Sequence, residues 1–249
     1  MRPASRVGLL LSVLIALSRP ASAGILSYTD FDSVLTRFVH DGVVDYGALA
    51  RDRSALDRFL RATQEADPQG WPRNEQLAFW INVYNARVLD GVTRRPGLRS
   101  VLDVGKALGV PTLGFFRERL RSGGRDLTLN DIEHEIIRDG FREPRVHFVL
   151  NCASASCPPI PVRALQAATL DSTLDSAARN FLADRAKNPG LRRGSLELSA
   201  IFKWYRSDFE AADVPLLGFV GRYSAAARGL PRKTTIRFVP YDWSLNGHW

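Results

Sequence analysis

From Asn74 to Val92 apolar side chains recur at helical spacing, and at about 100° per residue Leu77, Ala78, Ile81, Tyr84, Val88, Leu89 and Val92 share one broad arc. A helix with so wide an apolar face must be packed against other elements, so this segment constrains the fold more than any other. Asn85 lies inside the arc and Asn82 at its edge, on the side away from Glu75, Gln76, Arg87 and Asp90. An amide aimed at the interior costs roughly 1–3 kcal/mol if left unpaired, so it must meet a specific partner. That partner is either the backbone of a loop, the usual destination of side-chain hydrogen bonds, or a bound molecule.

Similar periodicity marks Thr29 to Val39, Ser54 to Thr63, Asn130 to Arg138, Ser172 to Arg185 and Ser199 to Phe209. Strand character is visible in Val146 to Asn151, Ser195 to Leu198 and Thr235 to Pro240. The stretch between Arg94 and Arg125 is punctuated by glycine and proline, which predicts a winding connection with short helices. Across 249 residues, 45% hydrophobic and 24% charged, there is enough apolar material for one sizeable core and neither an internal repeat nor a low-complexity tract. The expectation is an α+β fold: a mostly helical single domain over 24–249 with a small antiparallel sheet.

Residues 1–23 obey a different pattern. Arg2 and Arg6 precede an apolar run from Val7 to Leu17, which Ala21-Ser22-Ala23 closes with small residues. This is the layout of a signal peptide, and the run is shorter than the ~20 residues a spanning helix needs. The chain is therefore expected to be exported, periplasmic or secreted, without stable membrane insertion after cleavage. Removal of Arg2, Arg6 and Arg19 lowers the formal charge of +8 by three, and the remaining Lys and Arg residues are scattered. Nucleic acid is not an expected partner. Cys152 and Cys157 are the two cysteines, and an even count in an exported chain normally signals a disulfide. The loop it would close is short, so the gain should sit at the low end of ~2–4 kcal/mol.

Polar groups also stand where apolar ones are expected around Asn130 to Arg138. Leu129, Ile132, Ile136 and Ile137 share an arc with Glu133 in its middle and His134 on its flank. Two readings of Glu133 follow. With Asn130 as N-cap it would complete a capping box; otherwise it is a core-facing acid able to orient an imidazole. In Val146 to Cys152, strand alternation puts His147, Val149 and Asn151 on one face and Cys152 on the other. His147 and Cys152 can then meet only if the strand ends or bulges near Asn151.

Taken together, Ala78 to Ala86 (Ala-Phe-Trp-Ile-Asn-Val-Tyr-Asn-Ala), Asn130 to Arg138, His147 to Pro158, Ile201 to Phe209 and Tyr241 to Asn246 resemble the family called domain of unknown function 547. The resemblance runs from about Trp71 to the C-terminus. It implies a fold and a set of positions; the family's biochemistry is not established. In the family pattern the first cysteine and both histidines are more regular than the second cysteine. Ala153 stands where glycine is common.

Two functions fit these residues. The first is a thiol hydrolase or transferase of the papain-like or transglutaminase-like kind, acting on an envelope amide or peptide. Cys152 would be the nucleophile, His134 or His147 the base, and Glu133 or an asparagine the orienter, with the Ala153 and Ser154 N–H groups as an oxyanion hole. The second is a non-catalytic envelope binding module stapled by Cys152–Cys157, holding a peptide, glycan or protein ligand in a groove lined by Trp80, Tyr84, Trp204, Tyr205, Tyr241 and Trp243. The candidate substrate contacts are Asn82, Asn85, Asn151, Ser156, Tyr241 and Asp242. No cofactor is expected. A metal site from Glu133, His134, Glu135 and His147 lacks zincin spacing, and four residues between the cysteines is wide for thiol–disulfide exchange.

Overall fold

The computed structural model describes residues 26–105, 113–210 and 214–249, so the expected leader lies outside the described residues. Helix α1 (Thr29–Phe38) buries Phe31, Val34, Leu35 and Phe38, and runs into a hairpin of β1 (Val39–His40) and β2 (Val43–Asp45). The turn is Asp41-Gly42, both with positive φ, the conformation that matches the twist of a two-residue hairpin. Asp45 then caps α2 (Tyr46–Arg51) by accepting from the Ala48 N–H at 2.7 Å. Helix α3 (Ser54–Glu65) leads to α4 (Arg73–Thr93), the periodic segment singled out in the sequence.

Helix α4 is more enclosed than its apolar arc predicts. Every residue from Leu77 to Thr93 is buried, including Arg87 and Asp90 on the face expected to be solvated. Two neighbours cover that face. Arg53, beside α3, pairs with Asp90 at 2.6 Å, joined by Arg94 at 2.9 Å. Arg87 donates to Ser122 Oγ at 3.1 Å and to the Arg121 carbonyl, both in β3 (Leu120–Ser122), which hairpins with β4 (Arg125–Leu127). The connection leading to that hairpin includes the short helix α5 (Leu113–Phe116).

After β4 the chain forms a nine-residue π-helix, Asp131–Asp139, where an α-helix was expected. Its cap is the reciprocal pair Thr128 and Asp131: the Thr128 N–H donates to Asp131 Oδ2 at 2.9 Å and the Asp131 N–H to Thr128 Oγ1 at 3.0 Å. Of the two readings of Glu133, the Asn130–Glu133 capping box is therefore set aside, and Glu133 is the core-facing acid. The strand expected over Val146 to Asn151 is also corrected. Pro144–Phe148 is a 3₁₀-helix with Pro144 in its first turn and Glu143 as cap, accepting from the Arg145 N–H at 3.0 Å.

Helix α6 (Leu170–Ala183) precedes a three-stranded sheet of β5 (Gly190–Arg192), β6 (Ser195–Leu198) and β7 (Thr235–Phe238). Each sheet is built on an antiparallel hairpin, but β7 joins β6, and β8 (Gly247–His248) joins β2, in parallel register. The α+β class therefore holds with mixed small sheets. The helix expected over Ser199 to Phe209 is broken at Tyr205 (φ −106°, ψ 29°) into α7 (Ile201–Trp204) and α8 (Arg206–Phe209), followed by α9 (Leu216–Tyr223). The residues from α1 to α6 supply most of one apolar cluster; Phe148, Phe181, Phe202, Phe209 and Phe219 anchor a second, with Phe202 and Phe209 ring centres 4.8 Å apart.

Gly123 shows how tightly α4 is clad. It turns the β3–β4 hairpin at φ 58°, donates its N–H to the Thr63 carbonyl at 2.7 Å, and a Cβ there would lie 2.5 Å from Trp80 of α4. Gly123→Ala combines a left-handed backbone with overpacking and is expected to lower stability by about 2–4 kcal/mol in urea unfolding. A loss under about 0.5 kcal/mol would contradict the packing described here.

Candidate functional site

One cavity of about 300 Å³ opens where the π-helix, the 3₁₀-helix, the Cys152–Cys157 loop, α7 and the C-terminal segment converge. Glu133, His134, His147, Cys152, Cys157 and Tyr241 all line it. Four segments thus bring six of the expected residues to one hollow.

Its floor is Glu133, 8% exposed. The Tyr84 hydroxyl, from α4, donates to Oε2 at 2.8 Å, and the Tyr205 hydroxyl, at the α7–α8 break, donates to Oε1 at 2.6 Å. Burial, reinforced by the neighbouring carboxylate, pushes both phenols well above their ordinary range, so both remain donors. Neither oxygen of Glu133 meets a histidine, which corrects its expected role as orienter.

That role belongs to Asp208 of α8. His147 Nε2 lies 2.8 Å from Asp208 Oδ2, and the His147 ring stacks on Tyr205 with centres 4.0 Å apart. Arg138, on the last turn of the π-helix, grips the same carboxylate in a fork, Nε to Oδ2 at 2.6 Å and a second nitrogen to Oδ1 at 2.9 Å. Another Arg138 nitrogen lies 2.6 Å from His134 Nδ1. Because a guanidinium only donates, His134 Nδ1 is the acceptor and the ring proton sits on Nε2. Burial raises the Asp208 carboxyl, but hydrogen bonds from His147 and Arg138 outweigh it and hold the group well below the usual carboxylate range.

The wall opposite is a disulfide, Cys152–Cys157, with Cα atoms 6.3 Å apart. The Ser154 hydroxyl donates to Tyr241 Oη at 2.9 Å, and Tyr241 O–H donates to Cys157 Sγ at 3.1 Å. Burial also pushes the Tyr241 phenol up. The expected oxyanion hole is corrected in part: the Ala153 N–H donates to Asn151 Oδ1 at 2.8 Å. Ala153 has φ 61°, the left-handed conformation glycine adopts freely, which accounts for the glycine common there in the family pattern.

At the mouth Trp204, Tyr241 and Trp243 form a shelf. Tyr241 lies 4.7 Å from each tryptophan, ring centre to ring centre, and Trp204 and Trp243 stack at 5.7 Å. Trp204 is 46% exposed.

The remaining expected contacts do not line the cavity. Asn82 donates to the Leu165 carbonyl and accepts from the Leu165 N–H, each at 2.9 Å. Asn85 does the same between the Val149 carbonyl and the Asn151 N–H, at 2.8 and 3.0 Å. Asn151 donates to the Pro158 carbonyl at 2.8 Å. These buried amides hold loop backbone. Ser156 Oγ accepts from the Asp242 N–H at 2.9 Å, pinning the C-terminal segment beside the disulfide loop. Of the aromatic residues expected to line a groove, Tyr84, Trp204, Tyr205, Tyr241 and Trp243 line the cavity and Trp80 does not. Arg138 and Asp208 carry no periodic anomaly in the sequence that would single them out. Among the described residues no three His, Cys, Asp or Glu side chains gather to hold a metal ion.

Asp208→Asn tests the carboxylate at the centre of this network. A carboxyl held below its ordinary value contributes stability that is complete above the unfolded value of about 4 and is lost as pH falls through the folded value. The stability gap between the wild type and Asp208→Asn, read by urea unfolding, should be full at about pH 6 and shrink below about pH 4. A gap independent of pH would contradict this assignment.

A family model described as "Protein of unknown function, DUF547" matches residues 68–182, which takes in α4, the π-helix, the 3₁₀-helix and the disulfide loop. The segments bearing Tyr205, Asp208 and the aromatic shelf lie beyond the matched stretch. No curated protein and no solved structure matches the chain. With the motif residues of the matched stretch forming the floor and one wall of the cavity, the chain carries a DUF547 domain over residues 68–182.

Proposed function

We propose that this chain is an exported envelope protein that binds a peptide or glycan in the Glu133 cavity without transforming it, with the Cys152–Cys157 disulfide stapling the cavity wall. Export is supported by the basic, apolar and small-residue layout of 1–23 and by a cysteine pair at bonding distance. The observation that carries the reading is the shelf of Trp204, Tyr241 and Trp243, with a half-exposed tryptophan beside a hollow large enough for one sugar ring or amino-acid side chain. Flat apolar faces at such a rim suit sugar rings and extended peptides, and the polar floor fixes orientation.

Titration with soluble peptidoglycan fragments should shift the tryptophan fluorescence saturably. Trp204→Ala should weaken binding by about ten-fold or more while the thermal midpoint stays within a few degrees of wild type. No saturable binding by any fragment at millimolar concentration would overturn the reading.

A second reading is favoured by one observation: both sulfurs share the cavity with His134 and His147. A dithiol reductant would release Cys152 and Cys157 as thiols and leave as its own disulfide. Cys152 could then attack an amide carbonyl, an imidazole taking the thiol proton and passing it to the departing amine, and water would cleave the thioester. Mass spectrometry after iodoacetamide treatment should show no adduct before reduction and two after it. If the reduced protein alkylates with an unshifted thiol pKa of about 8.5, the thiol reading fails.

A further inference from the structure

The cavity carries a charge pattern that narrows its ligand. Among the described residues lining it, Glu133 is the one Asp, Glu, Lys or Arg side chain. Its hydrogen-bond partners are two phenols, both kept protonated by burial, so the carboxylate is hydrogen-bonded yet has no cation in contact with it. The Arg138 guanidinium feels the Glu133 charge through space, but its hydrogen bonds go to Asp208 and His134. His147 engages Asp208 too. The basic groups behind the floor are thus committed to a different carboxylate.

Above Glu133 the walls are rings. Tyr205 and Phe116 stand among the lining residues, and Trp204, Tyr241 and Trp243 close the mouth. Aromatic faces carry a negative quadrupole that attracts ammonium groups, by roughly 0.5–2 kcal/mol each depending on desolvation. A buried carboxylate with no cation in contact is costly, and a cation entering the hollow relieves that cost. A neutral sugar hydroxyl would gain from neither feature to the same degree, and an anion would be repelled by both.

We propose that the cavity selects an ammonium group: the ligand presents an amine-bearing side chain or amino-sugar nitrogen that enters past Trp204 and docks on Glu133. About 300 Å³ admits one such group and its stem rather than a polymer segment, so the rest of the ligand would lie on the shelf outside. This inference rests on the binding reading above and deepens it by naming the ligand class.

The test uses the full chain and soluble peptidoglycan fragments, untreated or with their amines acetylated, in isothermal titration. Untreated fragments should bind at least about ten-fold more tightly than acetylated ones, and Glu133→Gln should abolish the preference. Equal binding of the two preparations to the wild type overturns the ammonium inference and leaves the binding reading intact. Binding of neither overturns both. Should Glu133→Gln not fold, as judged by its thermal transition, the acetylation comparison on the wild type decides alone.

Discussion

A helix buried over most of its length cannot leave a polar side chain idle, and five of those on α4 fix its surroundings. Each is satisfied by a different part of the chain. Asn82 holds the backbone at Leu165, Asn85 bridges Val149 and Asn151, Arg87 grips the β3–β4 hairpin, Asp90 takes Arg53 and Arg94, and Tyr84 reaches Glu133. The apolar arc supplies the driving force for enclosing the helix, while the polar residues decide which segments enclose it and in what register. Both the floor of the cavity and the loop before the disulfide take their places from this one helix.

Much of that arrangement is legible from residue patterns alone. The arc of α4, the limits of α1 and α3 and the strand Ser195–Leu198 follow from periods of 3.6 and 2, because burial on one face imposes them. The inward amides also announce themselves, since an asparagine among leucines must have a partner, although the pattern does not say that both serve loop backbone. The failures are physical too. A π-helix has the same composition as an α-helix, and only the Thr128–Asp131 cap marks where it starts. Val146 to Phe148 alternates like a strand, but Pro144 and its acidic cap wind it into a 3₁₀ turn before a ladder could form. Asp208 looks like any surface acid on a short helix, and its importance comes from His147 and Arg138, which arrive from other elements.

In the site, two carboxylates have been sorted by their surroundings. Asp208 sits between a guanidinium and an imidazole, where its charge is matched. Glu133 sits between two phenols, which satisfy its oxygens as acceptors but bring no compensating charge. The Tyr205 ring stands between the two, stacked on His147 while its hydroxyl reaches Glu133, and the break between α7 and α8 lets one residue serve both. The polarity of the hollow is thus set by which partners each acid is allowed, not by how many acids are present.

The hollow also joins remote parts of the polypeptide: Tyr84 at its base and Tyr241 and Trp243 at its rim lie far apart in the sequence, and the rim is fixed by the Ala155–Ser244 contact and by strand β8 pairing with β2. Contacts between such remote segments close large loops, and the entropy of that closure is a cost that local helical contacts do not carry. A chain without its last segment would keep Tyr84 and Glu133 in place and still lack Tyr241 and Trp243, so the hollow is closed only when remote parts of the polypeptide have met.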